Sequence, residues 1–169
     1  MQSSSSSSPL SKTHVKLLAF DLQSLVQTAT SPPMFARDCV PLSWVEVLGT
    51  VTFYDNKPDR FLKFAVDDGT GCVPCILWLN HLRSPIFSCN GRREPRDVQL
   101  IAHVAANHAS KVRIGAVARV RGMITSFRGA MQVTVSDVVI ETDPNTEILH
   151  WLDCIRLARR VYDRASGAT

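Results

Sequence analysis

Cys72 and Cys75 form a CxxC pair, the spacing that opens many zinc and redox sites. Here the pair lies in CVPCILWL, a strand-like run, where residues three apart point to opposite faces. The two thiolates therefore cannot share one ion, and no second CxxC exists in the chain. They read as core cysteines. His81, Cys89, His103 and His108 match no metal-ligand spacing. Asp67 and Asp68 precede Gly69-Thr70-Gly71, a hairpin turn, where Asp caps the turn through its side chain. There is no Ser/His pairing, second carboxylate group or phosphate-cradling glycine loop, so the expectation is a chain that is not an enzyme and has no cofactor or metal. Five cysteines, an odd number, with no basic-then-apolar leader, imply reduced thiols.

A second chemistry is written in rings and cations. Phe61, Lys63, Trp78, Arg119, Arg121 and Phe127 fall on the polar faces of strand-like runs, and Lys57, Arg60 and Arg128 fall in the turns between them. Cations track phosphates, and each exposed ring stacks a base for ~1–3 kcal/mol. The spacing thus points to single-stranded nucleic acid. A net charge of +4 permits this without demanding it. The competing expectation is that an outward Phe or Trp packs beneath the N-terminal arm or a terminal helix, and that Arg119 and Arg121 form a solvated face.

The elements that must hold these residues are short strands. WVEVLGTVTFY (Trp44 to Tyr54) is rich in β-branched and aromatic residues, and Gly49 inside it marks a bend. After a turn at Asn56 to Asp59, RFLKFAVDD (Arg60 to Asp68) alternates. Leu62, Phe64 and Val66 share one face, and Phe61, Lys63 and Ala65 the other. Cys72 to Leu79 sets Val73, Cys75 and Leu77 against Pro74, Ile76 and Trp78. His81 to Glu94 reads as a loop, and Asp97 to Ser110 as a helix with Asp97 available as its cap. Ala116 to Phe127 sets Ala118, Val120, Gly122 and Ile124 against the arginines. Arg128-Gly129 turns the chain into Ala130 to Glu141, where Met131, Val133 and Val135 oppose Gln132, Thr134 and Ser136. Three strands, a helix and two strands predict a mainly β fold, the five-stranded OB-fold Greek-key barrel over residues 44–141.

Around the barrel, residues 1–12 read as a flexible serine-rich tail and 13–43 as an arm. Thr13 to Gln27 carries both a strand pattern (Val15, Leu17, Ala19) and a helical one (Phe20, Leu22, Leu25, Val26), and the choice stays open. Residues 143–164 predict an amphipathic helix, with Asp143 as N-cap and Pro144 at its first position. Ile148, Trp151, Leu152, Ile155, Ala158 and Tyr162 form one stripe, widened by Cys154, Leu157 and Val161. Asp153, Arg156, Arg160 and Arg164 lie on the polar side. The apolar arc spans roughly 200°, about twice what one packing face needs. A helix this wide is expected to pack on its own barrel and also dock a partner, through Ile148, Trp151, Leu152, Ile155 and Tyr162. No apolar run approaches the ~20 residues of a membrane span.

VEVLGTV, FAVDDGTGCVPCILW and IGAVARVRGMITSFRG closely resemble the Stn-type subunits of CST telomere-capping complexes, and THVKLLAFDL with DPNTEILHWL strengthens the match to their plant form. VDDGTG and RVRG are shared more loosely with the middle subunit of replication protein A. The resemblance implies a nuclear, telomeric OB-fold protein without a cofactor. It implies binding of single-stranded telomeric DNA alongside a Ctc-type large subunit, and pairing with a Ten-type small OB protein through the C-terminal helix. Trp78 and Phe127 match aromatic positions on the family's DNA-facing surface. Thr125 stands where animal relatives carry a basic residue, which implies a weak DNA reader when alone. The chain ends just after the helix, so the winged-helix region of animal and fungal relatives is expected to be absent. The alternatives are a structural adaptor with little DNA contact and a single-strand binder resembling the middle subunit of replication protein A.

Overall fold

The computed structural model describes residues 13–28, 35–37, 40–80 and 95–162. The serine tail, the expected loop at 81–94 with His81 and Cys89, Cys39, Arg164 and the Tyr162 side chain lie outside the described residues.

Five strands close the barrel: β5 (Trp44–Lys57), β6 (Phe61–Asp67), β7 (Cys72–Trp78), β8 (Val117–Phe127) and β9 (Ala130–Glu141). Before them come β1 (Val15–Lys16), α1 (Ala19–Gln23), β2 (Val26–Gln27), β3 (Phe35–Arg37) and β4 (Val40–Leu42). Two longer helices are α2 (Pro95–Lys111), between β7 and β8, and α3 (Asn145–Leu157), after β9. The sheet order is β1-β5-β6-β7-β9-β8, and a β5–β8 pairing joins its ends. The β7–β9 contact is parallel and the other barrel pairs are antiparallel, the connectivity of an OB-fold.

Strand β5 reaches both sides of the barrel. Its first half pairs with β8 and its second half with β6, with Thr50 common to both. Gly49 stands beside that handover, and a Cβ there would run into the Asp67 carbonyl. The expected alternation holds in the core, where Leu62, Phe64, Val66, Val73, Cys75, Leu77, Ala118, Val120, Ile124, Val133 and Val135 are all buried. Each such large aliphatic or aromatic side chain stabilises the fold by about 1.5–3 kcal/mol. Ile76 and Thr134 depart from it. Both lie on the outer face yet are buried, because they are cross-strand neighbours in the middle of the sheet, with Lys63 beyond Ile76. A bulge in β9 sets Arg121 against Asp137 but Gly122 against Val135, leaving Ser136 unpaired. The Ser136 hydroxyl donates to the Arg121 carbonyl at 3.1 Å. The bulge flips the faces, so Val138 joins the core and Val139 is exposed.

Both readings of the arm are realised in succession. β1 adds parallel to β5, and one helical turn, α1, follows. Val15, Leu17, Ala19, Leu22 and Leu25 seal the core, while β2, β3 and β4 form a small sheet of their own. Asp21 is buried against Arg37 at 2.6 Å.

Asp68 holds this arrangement together. Leu18, at the start of α1, offers no side-chain cap, and the Asp68 carboxylate accepts the Ala19 N–H at 2.7 Å instead. The same carboxylate accepts the Thr70 N–H at 2.9 Å and the Thr70 hydroxyl at 2.6 Å. Its backbone carbonyl accepts the Trp151 indole N–H at 3.2 Å. Asp67 accepts the Gly69 N–H at 2.8 Å. The acidic pair is thus a turn cap that also ties down the arm and α3.

Helix α2 packs Ala105 and Ala109 on the core, and Val112 follows them there just past its end. Among the described residues it begins at Pro95, so Asp97 sits inside its first turn and not at the cap position expected for it. At α3 the expected cap is present: Asp143 Oδ1 accepts the Asn145 N–H at 2.9 Å, and Pro144 has helical angles.

Candidate functional site

On the outer face of β6 and β7 the rings and cations converge. Phe61 and Trp78 are direct cross-strand partners and meet edge to face with centroids 5.8 Å apart. Lys63 lies between two rings, its Nζ 5.1 Å from the Phe61 centroid and 5.5 Å from that of Phe127. The β8–β9 turn brings Phe127 there. Arg128 and Gly129 both take positive φ, 53° and 81°, which makes a two-residue turn tight enough to return the chain directly into β9. Arg128 lies over Phe127 at 5.2 Å, and Arg60 over Phe61 at 5.8 Å. Lys63, Arg60 and Arg128 have no carboxylate partner among the described residues. The result is a row running Trp78, Phe61, Lys63, Phe127, flanked by two arginines.

Trp78 is half-buried. It lines a hollow of about 240 Å³ with Arg60, Phe61 and Asn80, and on another side a crevice of about 200 Å³ along Leu100, Ile101 and Val104 of α2. Its Nε1 is buried and finds no partner among the described residues. Trp78 is thus covered in part by α2, an element other than the N-terminal arm or terminal helix expected to cover an outward Trp.

Three sequence candidates stand apart from the row. Arg119 pairs with Glu141 at 2.6 Å. Arg121 pairs through Nε with Glu46 at 2.6 Å and lies 3.9 Å from Asp137. Arg121 is also six residues before Phe127 on β8, about 20 Å at the rise of a strand. Neither guanidinium belongs to the ring-bearing face. Lys57 is opposite Phe61 but bound to Asp55 at 3.1 Å. One ring was missed. Phe53, about half exposed, opens with Lys63, Pro74, Phe127 and Gln132 onto a hollow of about 350 Å³. Simple alternation assigns Phe53 to the core with Val47 and Val51. A bulge between Val51 and Phe53 turns it outward, opposite Ala65.

The CxxC pair is split between faces as expected, but only Cys75 is the core cysteine that both were read to be. Cys72, on the outer face at the start of β7, is exposed and donates to Asp67 at 3.3 Å, while Cys75 is buried, with its pKa pushed up by desolvation. His103 is exposed, and His108 turns its Nε2 to Asp137 at 3.4 Å. Among the described residues no group of three metal-ligating side chains forms.

Helix α3 divides its wide apolar arc between two tasks. His150 and Cys154 are buried against the barrel, with Leu157, Ala158 and Val161 packing beside the core. Ala158, on the apolar stripe but not among the residues expected to dock, thus belongs to the inner side. Ile148, Trp151, Leu152 and Ile155 fall within about 100° of one another and line an open surface groove with Glu147. Their exposures are 63%, 36%, 44% and 37%. Lys16 pairs with Asp153 at 2.6 Å, tying α3 to β1.

His150 makes this seat pH-sensitive. Burial lowers its pKa, against the opposing pull of Glu46, whose Oε1 is 3.9 Å from Nδ1. The imidazole is therefore neutral in the folded protein at neutral pH. Because its folded pKa lies below the unfolded value of 6.5, unfolding takes up a proton in acid. His108 is shifted the same way by desolvation. Stability is expected to be full above about pH 6.5 and to fall as pH drops below it. Urea midpoints from pH 8 to 5.5 test this, and His150→Gln should flatten the slope by the His150 share.

No protein-family model matches the chain. The CST complex subunit STN1 of Arabidopsis thaliana is 49% identical over 156 residues, covering 90% of this chain and 94% of that protein. The CST complex subunit STN1 of Bos taurus is 30% identical over 92% of this chain, which spans 44% of the bovine protein. Among solved structures, a chain of the S. pombe Stn1–Ten1 complex matches with TM-score 0.69 at 16% identity, over 93% of this chain and 99% of that one. A chain of a replication protein A heterotrimer bound to single-stranded DNA matches with TM-score 0.66 at 17% identity, over 88% and 98%. At those identities the two structures speak for the OB-fold.

Proposed function

Because this chain belongs to the STN1 family of CST complex subunits, we propose that it is a telomere-capping subunit that contributes single-stranded DNA contact through its barrel and assembles with a small OB-fold partner through α3. The observation that carries the DNA reading is Lys63 held between Phe61 and Phe127, with Trp78 beyond and Arg60 and Arg128 at the ends. Rings offer faces to bases while the unpaired cations track the backbone. In this reading Trp78, Phe61 and Phe127 stack, Lys63 and Arg128 meet phosphate, and Phe53 extends the track. Lys57 contributes only after leaving Asp55, and Arg119 and Arg121 serve the fold. A Ctc-type large subunit as neighbour, and residence in the nucleus at chromosome ends, belong to the same proposal. It assigns the chain no catalysis.

A second reading, an adaptor with little DNA contact of its own, draws on the neutralised Arg119 and Arg121. Fluorescence anisotropy with single-stranded oligonucleotides separates the two. Trp78→Ala is expected to weaken binding about tenfold, the loss of one stacking platform. Lys63→Gln should lower the salt slope by about 0.7. Unchanged affinity and slope in both variants, with partner assembly intact, would make the chain an adaptor.

A further inference from the structure

Phe20 is a large ring left 66% exposed on α1, with no part in the core or in the DNA-facing row. Its position is not isolated. The Phe20 N–H donates to the Thr70 hydroxyl at 3.1 Å, and the neighbouring Ala19 N–H to the Asp68 carboxylate at 2.7 Å. From the other side, the Trp151 indole donates to the Asp68 carbonyl. Trp151 is the border of the α3 groove, between the buried arc of His150 and Cys154 and the exposed arc of Ile148, Leu152 and Ile155. Only the Asp67–Gly71 turn separates it from α1. Gly69 in that turn bears no side chain, and a Cβ placed there would be 3.9 Å from the Trp151 ring.

We infer that the partner-docking surface crosses this turn, so that the small OB-fold partner seated on α3 also covers Phe20. The inference rests on the reading of α3 as the docking face. Two features favour covering the turn. It is bonded to α1 on one side and to Trp151 on the other, so it links the exposed Phe20 to the apolar groove of α3, and exposed apolar surface of that kind marks an interface. Several of its polar groups are also already engaged. Asp68 accepts Ala19, Thr70 and Trp151, Asp67 accepts Gly69, and the Thr70 hydroxyl both donates to Asp68 and accepts from Phe20. A partner that covers the turn therefore finds these side chains and N–H groups already bonded, which lowers the usual cost of covering a loop. Binding would then clamp the arm as well as the helix.

The test is calorimetric titration of the purified chain with the purified small partner. Phe20→Asp should weaken affinity tenfold or more, as loss of a buried aromatic anchor does. Phe20→Leu should stay within a few-fold of the parent. Val26→Asp, at a side chain 68% exposed on β2, should leave affinity unchanged. Urea midpoints of the three variants should match the parent, because neither ring nor valine is buried. Hydrogen exchange gives a readout without substitution: complex formation should slow the Ala19 and Phe20 amides. If Phe20→Asp binds like the parent and those amides are unaffected while Ile155→Arg loses the complex, the extension onto α1 is wrong. If Ile155→Arg also keeps the complex, the docking reading of α3 falls, and this inference with it.

Discussion

Ile155→Arg is expected to abolish capture of the small OB-fold partner while leaving the folded chain intact. Ile155 sits in the α3 groove with Ile148, Trp151 and Leu152, all exposed, on the opposite side of the helix from the barrel-facing His150 and Cys154. Arginine there removes apolar contact and forces a charge into a surface that closing would desolvate. Loss of an anchor in the centre of a patch costs about 2–4 kcal/mol, so affinity should fall about 100-fold or more. The same change should be nearly silent in urea unfolding, since the barrel-facing side of α3 is untouched. DNA affinity of the isolated chain should also hold, because the row from Trp78 to Phe127 is carried by β6, β7 and the β8–β9 turn. Pull-down from co-expression, followed by titration, reads both effects. Retained binding would mean that the exposed stripe is a solvated face and that the partner docks elsewhere. Arg156→Glu is the matched control, since it alters charge on the adjacent polar side.

The split of α3 shows where residue patterns inform and where they stop. An apolar arc of roughly 200° correctly implied two faces, because no single contact uses so wide a stripe. Which part faced inward was not readable. The inner seat is built on His150 and Cys154; burial keeps the histidine neutral beside Glu46, a carboxylate that Arg121 and Lys16 also engage. Such compensation lies between β1, β5, β8 and α3, far apart in the chain. For the same reason, Arg119 and Arg121 looked available: their partners Glu141, Glu46 and Asp137 belong to other strands.

Alternation carried the barrel well wherever strands run without interruption. β6 and the first part of β8 place every expected core residue inside. It failed at the bulges. One extra residue near Thr52 moves Phe53 from the core to the outer face, and the unpaired Ser136 exchanges Asp137 for Val138. The candidate row survived because Phe61, Lys63, Trp78 and Phe127 all lie outside those bulges. Ile76 and Thr134 show a further limit, since a position on the outer face is still buried in mid-sheet.

Gly49→Val should be among the most damaging single substitutions for the fold, lowering unfolding free energy by about 3 kcal/mol or more, or preventing folding altogether. The cause is contact and not backbone conformation. Gly49 lies in extended β5, paired with Ala118 of β8, at the point where the strand turns from one partner to the other. A Cβ added there meets the carbonyl of Asp67 and the amide nitrogen of Asp68, backbone atoms that cannot rotate away. Movement of Asp68 would also loosen its bonds to Ala19, Thr70 and Trp151, so the damage should spread to the arm and α3. Gly129→Ala isolates the other kind of glycine. That residue has φ 81° with open space around its missing Cβ, so alanine costs only the left-handed penalty of about 1–2 kcal/mol. Urea unfolding of both variants, followed by partner binding, separates the two mechanisms. Gly49→Val should lose the closed barrel and the partner together. Gly129→Ala should keep both and shift only the β8–β9 turn that presents Phe127. Equal destabilisation in the two variants would mean that backbone freedom, and not close approach of β5 to the Asp67–Gly71 turn, is what glycine supplies at position 49.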